Sequence, residues 1–200
     1  MKTLSLTKRT AMIKAGKAVF FKHGFACASM DVIAREANVS KATIYKHFHD
    51  KHELFKAIID EHWVKLAEVS SIDENNTKSP KSVLTEAGLS ILNFLLKPET
   101  MNFFRLLVSE SERFPTLNDS ILKNTKPPIT YNLCCYLAKQ HERKLLKIID
   151  PVIAAKDFLG LLKENAFWHV MIGVAKKPSL AERERAVKHA VDVFLGFYGV

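Results

Sequence analysis

Residues 29–55 read Ser-Met-Asp-Val-Ile-Ala-Arg-Glu-Ala-Asn-Val-Ser-Lys-Ala-Thr-Ile-Tyr-Lys-His-Phe-His-Asp-Lys-His-Glu-Leu-Phe. Met30, Ile33, Ala34 and Ala37 recur at helical spacing and predict one short amphipathic helix. Asn38-Val39-Ser40 interrupts it. Asn accepts a left-handed backbone better than most residues, Val39 is placed to plug the corner, and Ser40 is a good N-cap. The next piece, Lys41 to Phe48, turns Ile44 and Phe48 inward and leaves Lys41, Thr43, Lys46 and His47 outside, with Tyr45 at the edge. Asp50 then caps a third helix, with Glu53 completing a capping-box-like pair. Helix, tight turn, basic helix with hydroxyls: this is the pattern of a helix-turn-helix whose second helix enters a major groove.

Charge separates that reading from an ordinary pair of helices. Residues 1–52 carry ten Lys or Arg against Asp31, Glu36 and Asp50, a net +7 out of the chain's +9. The other 148 residues carry twenty basic and eighteen acidic side chains and are almost neutral. A basic lobe beside a neutral one is the electrostatic footprint of a phosphate partner.

The 200 residues, 48% hydrophobic, suffice for a sizeable core in one large or two small domains. No apolar run approaches the roughly 18 residues that span a bilayer, and Met-Lys-Thr-Leu-Ser-Leu-Thr-Lys-Arg has no secretory apolar stretch, so a cytoplasmic chain with no membrane partner is expected. Cys27, Cys134 and Cys135 are odd in number and offer no metal-ligand spacing. His47, His49 and His52 cluster among lysines, which disfavours a bound cation. With no glycine-rich phosphate loop, no Gly-x-Ser-x-Gly and no His-Glu-x-x-His, no catalytic constellation, metal site or cofactor is expected.

In chain order, residues 1–6 read as a frayed arm, and Thr7 opens a helix that runs to about His23 and ends at Gly24. Ser29 caps the next helix, where its hydroxyl and the free backbone N–H groups suit a phosphate. A helix over 51–69 links a DNA-binding domain, 1–52, to a larger domain, 53–200, after which Ser70 to Lys78 is loop. Ser79-Pro80 starts a helix to about Lys97 that Pro98 stops; Glu99 to Phe114 forms another, ended by Pro115. Leu117 to Thr125 and Ile129 to Gln140 read as helical on either side of Pro127-Pro128, and Pro151 marks the next boundary. Residues 152–175 are apolar around most of the circumference, predicting a helix buried on all faces. Ser179 and Glu182 form a capping box for the last helix. No strand pattern competes: the expected fold is all-α, a three-helix helix-turn-helix domain followed by a helical bundle.

A monomer of this size has difficulty covering both sides of the last two helices. Pairing them with a second copy gives a four-helix interface about a two-fold axis, formed by Phe158, Leu162, Val187, Val191, Phe194 and Tyr198. The alternative is that these helices complete the monomer core.

The chain resembles the TetR family of transcriptional regulators. The likeness rests on Phe20, Gly24, Phe25, Ser29, Ile33, Ala34, Ala37, Val39, Ser40, Ile44, Tyr45, His47, Phe48, Lys51, Leu54 and Phe55, and it covers about 50 N-terminal residues. Phe104 to Leu117 is similar to the AcrR-like branch, and Asn38 stands where the family usually has Gly. The resemblance implies a homodimeric repressor on a (pseudo)palindromic double-stranded DNA operator, released by a small hydrophobic effector. It places Lys41, Ala42, Thr43, Tyr45, Lys46 and His47 on the recognition helix, with Ser29 and Lys51 flanking it on the phosphates. Thr43 and Lys46 are the expected readers of base edges. An effector pocket among the middle helices would draw on Phe94, Phe103, Leu107, Tyr131, Cys134, Phe167, Trp168 and Met171. Two alternatives remain open: a DNA-binding regulator without an effector, and an enzyme built on an all-α bundle.

Overall fold

The computed structural model describes residues 2–73, 75–112 and 128–200, with the side chains of 2–6 and 128 left aside. Among the described residues every regular element is a helix: α1 (Lys2–Cys27), α2 (Met30–Glu36), α3 (Lys41–His47), α4 (Lys51–Val69), α5 (Pro80–Leu95), α6 (Pro98–Glu110), α7 (Pro128–Glu142), α8 (Pro151–Ala166), α9 (Trp168–Met171) and α10 (Leu180–Tyr198). The all-α expectation holds. The helix anticipated over Leu117 to Thr125, and the stops at Phe114 and Pro115, lie outside the described residues.

Local chemistry explains most helix ends. The Ser29, Ser40 and Ser79 hydroxyls accept from the N–H groups of Val32, Thr43 and Ser82. Asp50 accepts from His52 and Glu53, and Asp150 from Val152 and Ile153. Around Ser179 and Glu182 the capping box is complete in both directions. Other ends differ from expectation. Residues 2–6 are helical rather than an arm, because nothing in Lys2 to Thr7 opposes the α1 helix. Pro98 begins α6 instead of merely stopping α5, since its missing N–H is one that a first turn leaves unbonded anyway.

Contacts divide the chain into two compact units. One is Met1–His62 with Asn102–Thr125; the other is Trp63–Met101 with Lys126–Val200. The division falls within α4 and α6, not at the expected 52/53 boundary. Leu54, Phe55, Ile58 and Ile59 of α4 are buried, and their stripe completes the first unit's core. In that unit Phe20, Phe25 and Phe55 form a ring cluster with centroids 5.2–5.5 Å apart. The Arg9 guanidinium lies 5.3 Å from the Phe48 ring centroid.

The second unit is built on α5, α8 and α10. Phe158 and Phe194 meet edge to face at 5.5 Å. Gly88 of α5 permits the close approach: a Cβ there would come within 2.9 Å of Val187 and 3.4 Å of Leu162. This corrects the expected dimer surface. Phe158, Leu162, Val187 and Val191 are 0% exposed and Phe194 is 1% exposed, while the Tyr198 hydroxyl donates to Asp157 at 2.6 Å. The first five complete the chain's own core and leave no surface for a second copy, while Tyr198 is half-buried. The solvent faces of α8 and α10 instead carry Val152, Ile153, Val193 and Phe197. The long helix expected over 152–175 is also broken. Backbone at Phe167 (φ −113°, ψ −53°) separates α8 from the single turn α9, and Ile172 and Val174 stand in solvent rather than in a core.

Candidate nucleic-acid interface

Helix α3 is positioned by a turn whose geometry follows from three residues. Asn38 has φ 53°, the left-handed conformation required there. The N–H groups of Asn38 and Val39 donate back to Arg35 and Ala34 carbonyls at 3.0 Å, closing α2. Ser40 then caps α3, and its Oγ also lies 2.8 Å from Thr43 Oγ1. Ile44 and Phe48 are buried, which orients the helix about its axis and turns Lys41, Ala42, Tyr45 and Lys46 to solvent. Tyr45 is 43% exposed despite its ring. Thr43 and His47 are half-buried at the sides, and Ser29 is exposed at the N-terminus of α2. Seven of the eight proposed DNA-contacting residues therefore share one solvent-facing region of the first unit.

Electrostatics within this region are uneven. Lys41 Nζ donates to Asp31 Oδ2 at 2.9 Å, linking α3 to α2, and that hydrogen bond raises the Lys41 pKa above its ordinary value. A phosphate reaching Lys41 must compete with Asp31. An open groove of about 570 Å³ follows the turn, lined by Asp31, Ala34, Arg35, Asn38, Val39, Ser40 and Lys41. Lys46 has no such acidic partner described and is exposed.

Lys51 differs from expectation. Its ammonium donates to the carbonyls of Phe25 at 3.0 Å, Ala26 at 2.9 Å and Ala28 at 3.4 Å, and lies 4.8 Å from the Phe25 ring centroid. An ammonium has three N–H donors, and all three are engaged inside the fold. Lys51 fixes the joint between α1 and α2, and through it the position of Ser29. With these bonds made, no donor is left for a phosphate.

Glu110, which sequence reading did not single out, holds the same joint from the other side. It is buried, and Phe25 N–H donates to Glu110 Oε1 at 3.1 Å. The Phe25 peptide is thus gripped by α6 through its N–H and by α4 through its C=O. Gly24 makes room for this with φ +74°, and a Cβ there would sit 3.3 Å from the carboxylate. A residue 85 positions away in sequence leaves no local signal.

The expected pocket residues divide between the two units. Phe103 and Leu107 belong to the first unit, where Phe103 stacks on His62 at 4.0 Å. Phe94, Tyr131, Cys134, Phe167, Trp168 and Met171 belong to the second. Tyr131 and Trp168 are 54% and 42% exposed, so they are surface groups rather than an enclosed lining, and Cys134 Sγ donates to the Pro151 carbonyl at 3.3 Å. Phe94, Phe167 and Met171 are buried in packed positions.

Known proteins carry the same two parts. A model of bacterial regulatory proteins of the tetR family matches residues 12–58, and one described as AefR-like transcriptional repressor, C-terminal domain, matches residues 82–200. The HTH-type transcriptional activator FasR of Mycolicibacterium smegmatis is 40% identical over 55 residues, 28% of this chain and 25% of that protein. The chain thus matches only a quarter of that relative's length. Solved structures align over nearly the whole chain. A TetR family transcriptional regulator of Pseudomonas syringae pv. tomato has TM-score 0.80 and 29% identity, covering 96% of this chain and 97% of its own. The Flavonoid-responsive Regulator FrrA has TM-score 0.81 and 25% identity, covering 96% and 97%. The turn, the basic helix and the C-terminal helices converge on one conclusion: the chain belongs to the TetR family, as a helix-turn-helix DNA-binding transcriptional regulator.

Proposed function

We propose that the chain is a homodimeric repressor that binds a (pseudo)palindromic operator and is released by a small, largely apolar effector. The observation that carries this reading is the solvent face of α3. A capped, axially fixed helix presents Lys46, Tyr45, Ala42 and Lys41 beside the Ser29 cap. Lys46 and Thr43 read base edges, the first by donating to guanine and the second by its methyl against thymine. Ser29 and Tyr45 place the helix on the backbone, with His47 at the flank. The unit served by this reading is Met1–His62 with Asn102–Thr125; the other pairs the copies and senses the effector.

One helix-turn-helix reads few base pairs, so specificity requires two copies. The exposed apolar faces of α8 and α10 suit that pairing: Val152 and Ile153 on one, Val193 and Phe197 on the other, with Phe197 78% exposed. Repression is favoured over activation because the repressor-type C-terminal match covers residues 82–200, whereas likeness to the activator FasR is confined to 55 residues. An apolar, aromatic effector is supported by the name of FrrA, which describes it as flavonoid-responsive. Binding shifts the population toward a spacing of the two α3 helices that no longer fits successive grooves.

Selection of bound sequences from random DNA tests the core of this reading. An inverted repeat with half-sites about one helical turn apart is expected. Enrichment of a single asymmetric half-site would overturn the dimer, and no enrichment would overturn the specific regulator.

A further inference from the structure

Helix α7 carries a polar anomaly inside the second unit. Its buried stripe is Ile129, Leu133, Tyr136, Leu137 and Gln140, with Tyr136 and Gln140 each 1% exposed. The two lie four residues apart, on one helix face. Neither the Tyr136 hydroxyl nor the Gln140 Oε1 and Nε2 has a hydrogen-bond partner among the described residues. Leaving one such atom unpaired costs as much as a lost hydrogen bond, and native cores pair nearly all of theirs. Leu or Phe at these positions would fill the stripe without that cost, so packing alone does not account for a phenol and a carboxamide side by side.

We infer that Tyr136 and Gln140 form the hydrogen-bonding end of the effector site, and that the effector is a mostly apolar, non-cationic molecule carrying both a hydroxyl donor and a carbonyl acceptor. This rests on the effector reading above and replaces the purely apolar lining expected from the sequence. Burial pushes the Tyr136 phenol up to about 12, so it stays protonated and can donate to a carbonyl. The Gln140 carboxamide supplies one acceptor and two donors. A cationic ligand is disfavoured, because the Arg143 charge acts on the phenol and these neutral groups cannot offset the loss of a cation's hydration. A molecule reaching these atoms has to part α7 from the elements packed on its buried face, a displacement of the kind an effector must cause.

The wild-type chain, Tyr136→Phe and Gln140→Leu are compared by thermal unfolding, free and with 5,7-dihydroxyflavone or the unhydroxylated parent flavone. The dihydroxy compound should raise the wild-type Tm more than flavone does. Gln140→Leu should lose that difference and Tyr136→Phe should shrink the shift produced by both compounds, while the ligand-free Tm of each variant stays level or rises by about 2–4 °C through loss of an unpaired group. A difference that persists in Gln140→Leu overturns the inference, as do undiminished shifts in Tyr136→Phe and a lowered ligand-free Tm in both variants, which would assign the pair to bridging water. No stabilisation of wild type by the dihydroxy compound also overturns it. The wider effector reading falls separately, only if a panel of apolar compounds also fails to release the selected operator.

Discussion

The two compact units use amphipathic helices in opposite ways. In the first, α2 and α3 bury a narrow stripe and turn the rest of their surface to solvent, where the chemistry lies. In the second, α5, α8 and α10 bury the residues that look most functional, and the exposed faces carry what is left. Ile44 and Phe194 illustrate the contrast: both are fully enclosed, but Ile44 aims a reading surface outward and Phe194 aims nothing. An apolar stripe therefore marks a core face wherever it occurs. The opposite face must be read to find a partner.

Five substitutions sharpen or break this contrast. The largest effect is expected for Phe194→Asp, which buries an unpaired carboxylate against Phe158 and should cost about 4 kcal/mol or more. Calorimetry should then show loss of the second unit's transition. A folded monomer at unchanged Tm would return Phe194 to the dimer surface. Lys51→Ala should cost about 2–3 kcal/mol by leaving three carbonyls without their donor, seen as a lower denaturation midpoint. If stability is unchanged and only the salt dependence of DNA binding shifts, Lys51 is a phosphate contact after all. Gly88→Ala, forcing a methyl toward Val187, should destabilise by about 1–3 kcal/mol. Unchanged stability would mean that α5 and α10 relax apart freely.

Lys46→Ala belongs to the other regime. The Tm should hold while the slope of log affinity against log salt falls by about one unit. A drop in stability there would deny that α3's outer face is free of structural duty. The smallest effect is Asn38→Gly, which removes the strain of a left-handed Asn and should stabilise by about 0.5–1 kcal/mol without altering sequence preference. Destabilisation would show that the Asn38 side chain has a role beyond its φ.

The front of the chain was legible because its determinants are local. Ser29, Ser40 and Asp50 act on N–H groups two or three residues away, and the Asn38 turn closes on Arg35 and Ala34. The misreadings came where partners are distant in sequence. Lys51 looked like a phosphate ligand because its carbonyl partners lie more than twenty residues upstream, and Glu110 gave no sign of its hold on Phe25. Tyr131 and Trp168, aromatic at helical spacing, proved to be surface groups, while Tyr136 and Gln140 passed for ordinary helix residues.

By itself, the sequence determined that the protein is all-helical, where most helices begin, and which helix presents a basic outer face. Capping, backbone preference and hydrophobic period all operate over a few residues, so neighbouring letters contain them. Tertiary structure alone decided which side of α8 and α10 is left exposed, what holds the joint ahead of α2, and where unpaired polar atoms gather. Those depend on which helices pack together, and an amphipathic stripe states that a partner exists without saying which one.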